Sequence, residues 1–201
     1  MVETAERRHR RHGSRRDPSI DAAVLVATRR LLIARGYAAT TIDLIATTAG
    51  VSRPAVYRRW SSKAQLVHEA LFPDLGPEPP ADDFVAEITR LCRGALAMYE
   101  DPAVREALPG LLNDLRSDRR MRRVISDRLE AAARSQLAQR MESAVAEGTA
   151  RAGVNADTVM DVIAGGAWYA VCVRHVKDIE TAAADLCELV LRGVLAQGQG
   201  L

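Results

Sequence analysis

The sequence is poor in the residues that most often carry chemistry. It has three cysteines, Cys92, Cys172 and Cys187, an odd number at wide intervals. Neither a disulfide framework nor a metal-ligand spacing is legible in them, and a reducing cytoplasm suits them best. The four histidines, His9, His12, His68 and His175, share no evident site. No Gly-rich phosphate loop, Ser-His-Asp set, paired catalytic carboxylates or His/Cys cluster is visible. An enzyme is not expected, and neither is a cofactor or a metal. The longest uncharged apolar run, Val162–Val173, has twelve residues, well short of the ~20 that a membrane span needs. The basic N-terminus lacks the apolar stretch of a secretory signal. A soluble, cytoplasmic protein with no membrane partner is expected. No run alternates with period two between turn signals, so no sheet is expected either.

Charge is plentiful and unevenly placed. The net charge of +2 hides a basic first third, since residues 1–68 hold 13 Arg/Lys against 5 Asp/Glu while residues 69–201 hold 15 against 21. A basic end on an acidic remainder is the footprint of a nucleic-acid binder with one working end. With 201 residues, 48% of them apolar, the chain has room for one large domain or two small ones and a sizeable core.

Residues 40–63 read TTIDLIATTAGVSRPAVYRRWSSK. Ile42, Ile45, Ala46 and Ala49 recur at helical spacing and predict a helix with one apolar side. Gly50 follows, where a left-handed backbone ends a helix without Cβ strain, and Val51 is placed to plug the core. Ser52 stands at an N-cap and Pro54 in the first turn of a second helix, about Arg53–Arg59. That helix is expected to expose Arg53, Tyr57, Arg58 and Arg59. A short helix after a glycine turn, bearing donors for phosphates and base edges, suits the major groove of DNA.

The stretch from about Ser19 to Leu71, through ARGYAATTIDLIATTAGVSRPAVYRRWSSKAQLVHEAL, resembles the N-terminal domain of TetR-type transcriptional regulators. The shared pattern is a Gly-aromatic helix end, a Thr pair, Ala-Gly-Val-Ser, Pro-x-x-Tyr, an aromatic, Ser-Lys and an apolar helix. The resemblance implies an all-α homodimer of about nine helices, with a three-helix helix-turn-helix DNA-binding domain and a C-terminal helical domain for ligand binding and dimerisation. Arg53 and Arg58 are then base readers, since Arg pairs with guanine O6 and N7. Tyr57, Arg59 and Lys63 match phosphate-gripping positions, and Thr40 and Thr41 match a phosphate-contacting helix start. Ser52 and Pro54 complete the expected DNA-binding set. Trp60 is expected to wedge the fourth helix against the head rather than touch DNA. The implied partners are a double-stranded operator, a small-molecule effector and a second copy of the chain.

Four stretches are expected: a disordered basic arm over 1–16, with six arginines; the DNA-binding domain over 17–71; a Pro-rich connection over 72–81; and the body over 82–201. The arm arginines are placed to follow the DNA backbone or to act only as a solubilising tail. Asp17-Pro18 predicts the start of a helix running to about Arg35, with Ile20, Val24, Leu25, Ala27, Leu31 and Leu32 buried. Thr40 with Asp43 predicts the next start, and Ser62 with Gln65 a capping box. In the body, one stripe runs from Phe84 to Tyr99 and the next from Val104 to Leu115. A long helix is expected from Met121 to near Gly148.

The last two helices, about Asp157–Val176 and Thr181–Ala196, are apolar around much of their circumference and call for burial against a second subunit. Gly165-Gly166 predicts a close approach there. Met98, Tyr99, Leu108, Leu112, Met121, Ile125, Leu129, Trp168 and Cys172 are the candidate lining of an effector cavity, so a largely apolar or aromatic effector is expected. The reading is a repressor released from a palindromic operator by that effector. An activator of the same fold, and a redox-responsive regulator using a body cysteine, stay open.

Overall fold

A computed structural model describes residues 17–73, 79, 81–119, 122–123 and 131–196. Helix α1 spans Pro18–Ala39; Asp17 caps it by accepting the Ser19 N–H, and Pro18 takes the first turn. Regular geometry breaks at Gly36 (φ 71°, ψ 176°), just past the expected end at Arg35, and the break turns Tyr37 into a buried position. Helices α2 (Ile42–Thr48), α3 (Arg53–Tyr57) and α4 (Lys63–Leu71) follow. Gly50 has φ 67° between α2 and α3, as the motif requires. Ser52 accepts the Ala55 N–H at the start of α3.

Two caps differ from expectation. Thr41, not Thr40, caps α2 by accepting the Leu44 N–H at 3.2 Å. Ser62 caps α4, but Gln65 reaches back to the Ser61 N–H, one residue before the cap. Helix α3 is also two residues shorter than expected. The head closes over Val24, Leu31, Ile42, Ile45, Val56, Trp60 and Leu66. Trp60 is fully buried there and donates from Nε1 to Glu69 on α4 at 2.8 Å, which is the wedge expected of it.

The body comprises α5 (Phe84–Glu100), α6 (Pro102–Ser117), α7 (Ala131–Ala146), α8 (Ala156–Trp168) and α9 (Ile179–Val194). A π-helical turn, Tyr169–Val173, continues α8. Among the described residues there are nine α-helices and no strand, apart from a single antiparallel bridge between Ala150 and Leu195. The arm over 1–16, part of the connection over 72–81, and Met121, Ile125 and Leu129 lie outside the described residues.

The body core gathers Phe84, Ile88, Cys92, Leu137, Met141, Ile163 and Leu191. A separate cluster joins body to head. Val104, Ala107, Leu108, Leu111 and Leu115 of α6 pack on Leu32 and Tyr37 of α1 and on Val67 and Leu71 of α4. Arg29 of α1 ties this junction by donating to the Ala70 carbonyl and to Asp101, the N-cap of α6.

Along α8, its π turn and α9 an apolar face lies exposed among the described residues: Val162, Tyr169, Val173 and Leu189 are exposed by 47, 53, 44 and 66%. Gly165 meets nothing within 4 Å, whereas a Cβ on Gly166 would come within 3.0 Å of Leu186. The close approach expected at this glycine pair is therefore, at Gly166, packing within the protomer. By length and composition alone the segment Ala156–Val173 could cross a membrane. It carries Asp157 and Asp161, however, both paired with Arg134 of α7, and it packs against α5, α7 and α9.

Candidate DNA-binding surface and effector site

Helix α3 turns Ala55 and Val56 into the head core and leaves Arg53, Pro54, Tyr57 and Arg58 exposed, with Ser52 exposed at its cap. Arg53 is held rather than loose. Its guanidinium lies 3.1 Å from an Asp43 carboxylate oxygen and 5.4 Å from the centre of the Tyr57 ring. Both contacts are solvent-exposed, so each is weak and gives way when a stronger acceptor is offered. Asp43 stands two residues after Thr41, so the pair also links the start of α2 to the start of α3. Thr41 is exposed, though its hydroxyl oxygen is engaged by the cap.

Two of the expected DNA contacts, Thr40 and Arg59, are committed inside the head, and a third, Lys63, is engaged there in part. Thr40 is fully buried, and its hydroxyl donates to the Gly36 carbonyl at 2.8 Å. Its side chain therefore locks the α1–α2 corner and does not face an anion. Arg59 was expected to be exposed; its side chain is 9% exposed, with Nε bound to Asp21 of α1 and Nη1 donating to the Ala55 carbonyl. A long cationic side chain has met a carboxylate of its own fold before any phosphate. Lys63 is half-buried, donates from Nζ to the Tyr37 carbonyl at 2.6 Å and sits 3.9 Å over the Tyr37 ring. Burial holds its ammonium below the usual lysine range, with Asp114 opposing. Two of its three donors stay available for another acceptor.

The expected effector residues divide. Leu108 is buried in the junction between α6 and the head, so it is core and not cavity lining. Leu112, one turn on, is 47% exposed. Trp168 is 36% exposed on α8. Tyr99 and Cys172 do come together, against the cluster of Leu96, Ala167, Val171 and Ala183, and Met98 is partly buried beside Tyr99. Three of the grooves among the described residues are lined by residues other than Met98, Tyr99, Leu108, Leu112, Trp168 and Cys172. The widest of these three, about 1260 Å³, runs between α5 and the start of α9 and is edged by Arg90, Arg93, Lys177 and Glu180.

The thiols hold a pairing that the sequence hides. Cys92 and Cys187, 95 positions apart, share one core cluster, and burial with the neighbouring Cys187 pushes the Cys92 thiol up to about 12. Burial raises Cys172 as well. A redox sensor needs an accessible, low-pKa thiolate, and neither of these two thiols has that character. Sequence reasoning also passed over Tyr37, Asp21 and Glu69. Tyr37 lay in the quoted Gly-aromatic pattern without a role, while Asp21 and Glu69 gave no local signal.

Comparison with known proteins agrees with this architecture. The model described as "Bacterial regulatory proteins, tetR family" matches residues 24–70, and that described as "Tetracyclin repressor-like, C-terminal domain" matches residues 78–190. An uncharacterised HTH-type transcriptional regulator, YdeS of Bacillus subtilis (strain 168), is 26% identical over 196 residues, 92% of this chain and 95% of that one. The transcriptional activator FasR of Mycolicibacterium smegmatis is 36% identical over 74 residues, 33% of this chain and 34% of that one. The solved structure of NalD, described as the secondary repressor of the MexAB-OprM multidrug efflux pump in Pseudomonas aeruginosa, aligns with a TM-score of 0.63 at 19% identity, covering 91% of this chain and all of NalD. With both family models matched in order along one chain, and the second alone spanning more than half of it, the protein belongs to the TetR family of DNA-binding transcriptional regulators.

Proposed function

We propose that the protein is a cytoplasmic homodimeric repressor, released from a near-palindromic operator by a small, largely apolar or aromatic effector. The observation that carries this reading is the division of α3 between a buried Ala55/Val56 side and an exposed Arg53/Tyr57/Arg58 side. Residues 17–71 serve as the DNA-binding domain. Within it Arg53 and Arg58 read bases, Thr41, Ser52, Pro54 and Tyr57 approach the backbone, and Lys63 adds its free donors. Arg59 and Thr40 act by holding α3 and α2 in place.

The uncovered apolar face of α8 and α9 supports a second copy seated there, within the body over 82–201. Met98, Tyr99, Leu112, Trp168 and Cys172 are the described part of the effector site. The π turn beside them supports that placing, because such turns recur at functional sites. The effector must bind the non-operator state more tightly, since equal affinity for both states shifts nothing.

The test is enrichment of duplexes from a randomised pool, expected to yield two half-sites about one helical turn apart. Arg53→Ala should weaken the enriched duplex by roughly 1–3 kcal/mol and a scrambled duplex far less. Equal loss on both would move Arg53 to a phosphate, and a pool without enrichment would sink the reading. A reporter driven by the enriched duplex should fall when the protein is present; a rise would make it an activator.

A further inference from the structure

Tyr37 is gripped from both sides, and its two sets of contacts join the body to the surface proposed to hold DNA. It follows the Gly36 break, which releases its ring from the run of α1 toward α6. There the ring sits against the bare backbone of Gly110: a Cβ at that position would stand 2.5 Å from Tyr37 Cδ1 and 2.7 Å from Cγ. Glycine is required here by close approach, as Gly110 is not among the glycines with positive φ. One turn further along α6, Asp114 accepts the Tyr37 hydroxyl at 2.5 Å. From the head side, Lys63 Nζ covers the ring at 3.9 Å and donates to the Tyr37 carbonyl at 2.6 Å. The same carbonyl accepts the Thr40 N–H at 3.2 Å, at the corner that leads into α2.

We infer that Tyr37 is a positioning residue for DNA binding, held by Gly110 and Asp114 of α6 and in turn setting Lys63 and the start of α2. A ring packed against backbone has no slack, so α6 cannot shift along α1 without moving it. The body thereby reaches the phosphate grip at the start of α4 through α6 and the end of α1. The inference rests on reading Lys63 as a phosphate contact.

The experiment uses the full-length protein and a duplex that the wild type enriches from a randomised pool. Gly110→Ala drives a methyl group into the ring. Binding should weaken about tenfold or more, and the slope of log K against log salt should become shallower by about one. Melting should fall modestly, because the methyl group overpacks the ring, while sedimentation stays as in the wild type. In a Lys63→Ala background the same change should cost less than about twofold and leave the slope alone, because what Tyr37 positions is already gone.

A merely structural role predicts losses that multiply and a slope that Gly110→Ala does not alter, and that result overturns the inference. Should Gly110→Ala fail to fold, Tyr37→Phe decides, as it keeps the ring and removes only the bond to Asp114. It should weaken binding about twofold to fivefold, with the loss suppressed in the Lys63→Ala background; unchanged affinity overturns the inference. A wild type that enriches no duplex defeats the proposed function itself. Lys63→Ala with an unchanged slope defeats the phosphate contact and this inference together, whereas a lowered slope with multiplying losses defeats the role of Tyr37 alone.

Discussion

Head and body are both helical, yet they treat their apolar surface differently. The head folds one long helix, α1, and three short ones around Trp60, Ile45 and Leu66; it offers solvent a largely polar α3 and exposes only Val26 and Ile33 of α1 among its large aliphatic side chains. The body has more apolar material and leaves Val162, Tyr169, Val173 and Leu189 exposed along α8, its π turn and α9. The head closes on its own core, while the body presents an apolar face that the proposed second copy would cover. Leu189→Glu should have the largest effect, because it would place a charge in the proposed subunit contact. An unpaired buried charge costs roughly 3–5 kcal/mol. Sedimentation should show monomers at micromolar concentration, with operator binding reduced to that of a lone half-site and the head still folded. A dimer that survives the substitution would break the comparison.

The two tryptophans sample the two regions. Trp60 is fully buried and hydrogen-bonded to Glu69, so Trp60→Ala should cost roughly 3–5 kcal/mol. Trp168 is 36% exposed in the single chain, and Trp168→Ala should cost only about 1–2 kcal/mol. If it also blunts release from DNA by a compound that changes Trp168 fluorescence, the effector site is near it. Equal thermal destabilisation by the two substitutions would show that Trp168 is core in the assembled protein.

The third effect depends on pH. Burial pulls His68 on α4 down to about 4, and its Nε2 is buried without a partner. Its folded pKa lies below the unfolded value near 6.5, so the unfolded chain takes up a proton first as pH falls. Stability is full above about 6.5 and is lost as pH falls toward 4, amounting to about 2 kcal/mol between pH 7 and pH 5. Asp17, Asp101 and Asp178 have lowered values and lose their contributions as pH falls through and below the ordinary carboxylate range, under the window of His68. His68→Gln should therefore flatten the melting temperature between pH 7 and 5. A wild-type profile already flat over that window would mean that solvent reaches the imidazole.

Legibility in the sequence follows the distance between partners. Asp17, Gly50, Ser52 and Ser62 act on residues two or three positions away or on their own φ, and each was readable. The capping box slipped by one because Gln65 had two neighbouring serines to reach, Ser61 and Ser62. Arg59 was misread because its acid, Asp21, lies 38 positions upstream. The Tyr37–Asp114 bond and the Cys92–Cys187 pair span still longer separations, which no local pattern records. Leu108 and Leu112 share a helical stripe, yet one meets the head and the other solvent. Periodicity says that a face is apolar and not what covers it.

Arg58 and Arg59 carry the same charge on adjacent positions, and they give the smallest and sharpest test. Arg58 is exposed at the end of α3, so Arg58→Ala should relax the preference for the enriched duplex over a scrambled one and leave melting unchanged. Arg59 is bound to Asp21, which is itself only 22% exposed, so Arg59→Ala should lower stability by about 1 kcal/mol. Its salt slope should stay that of the wild type, because no phosphate is lost. Asp21→Asn should reproduce the stability loss of Arg59→Ala in part and add little to it in the double variant. A shallower slope for Arg59→Ala would mean that the guanidinium leaves Asp21 when DNA arrives, and the head would then be less finished than its own contacts make it.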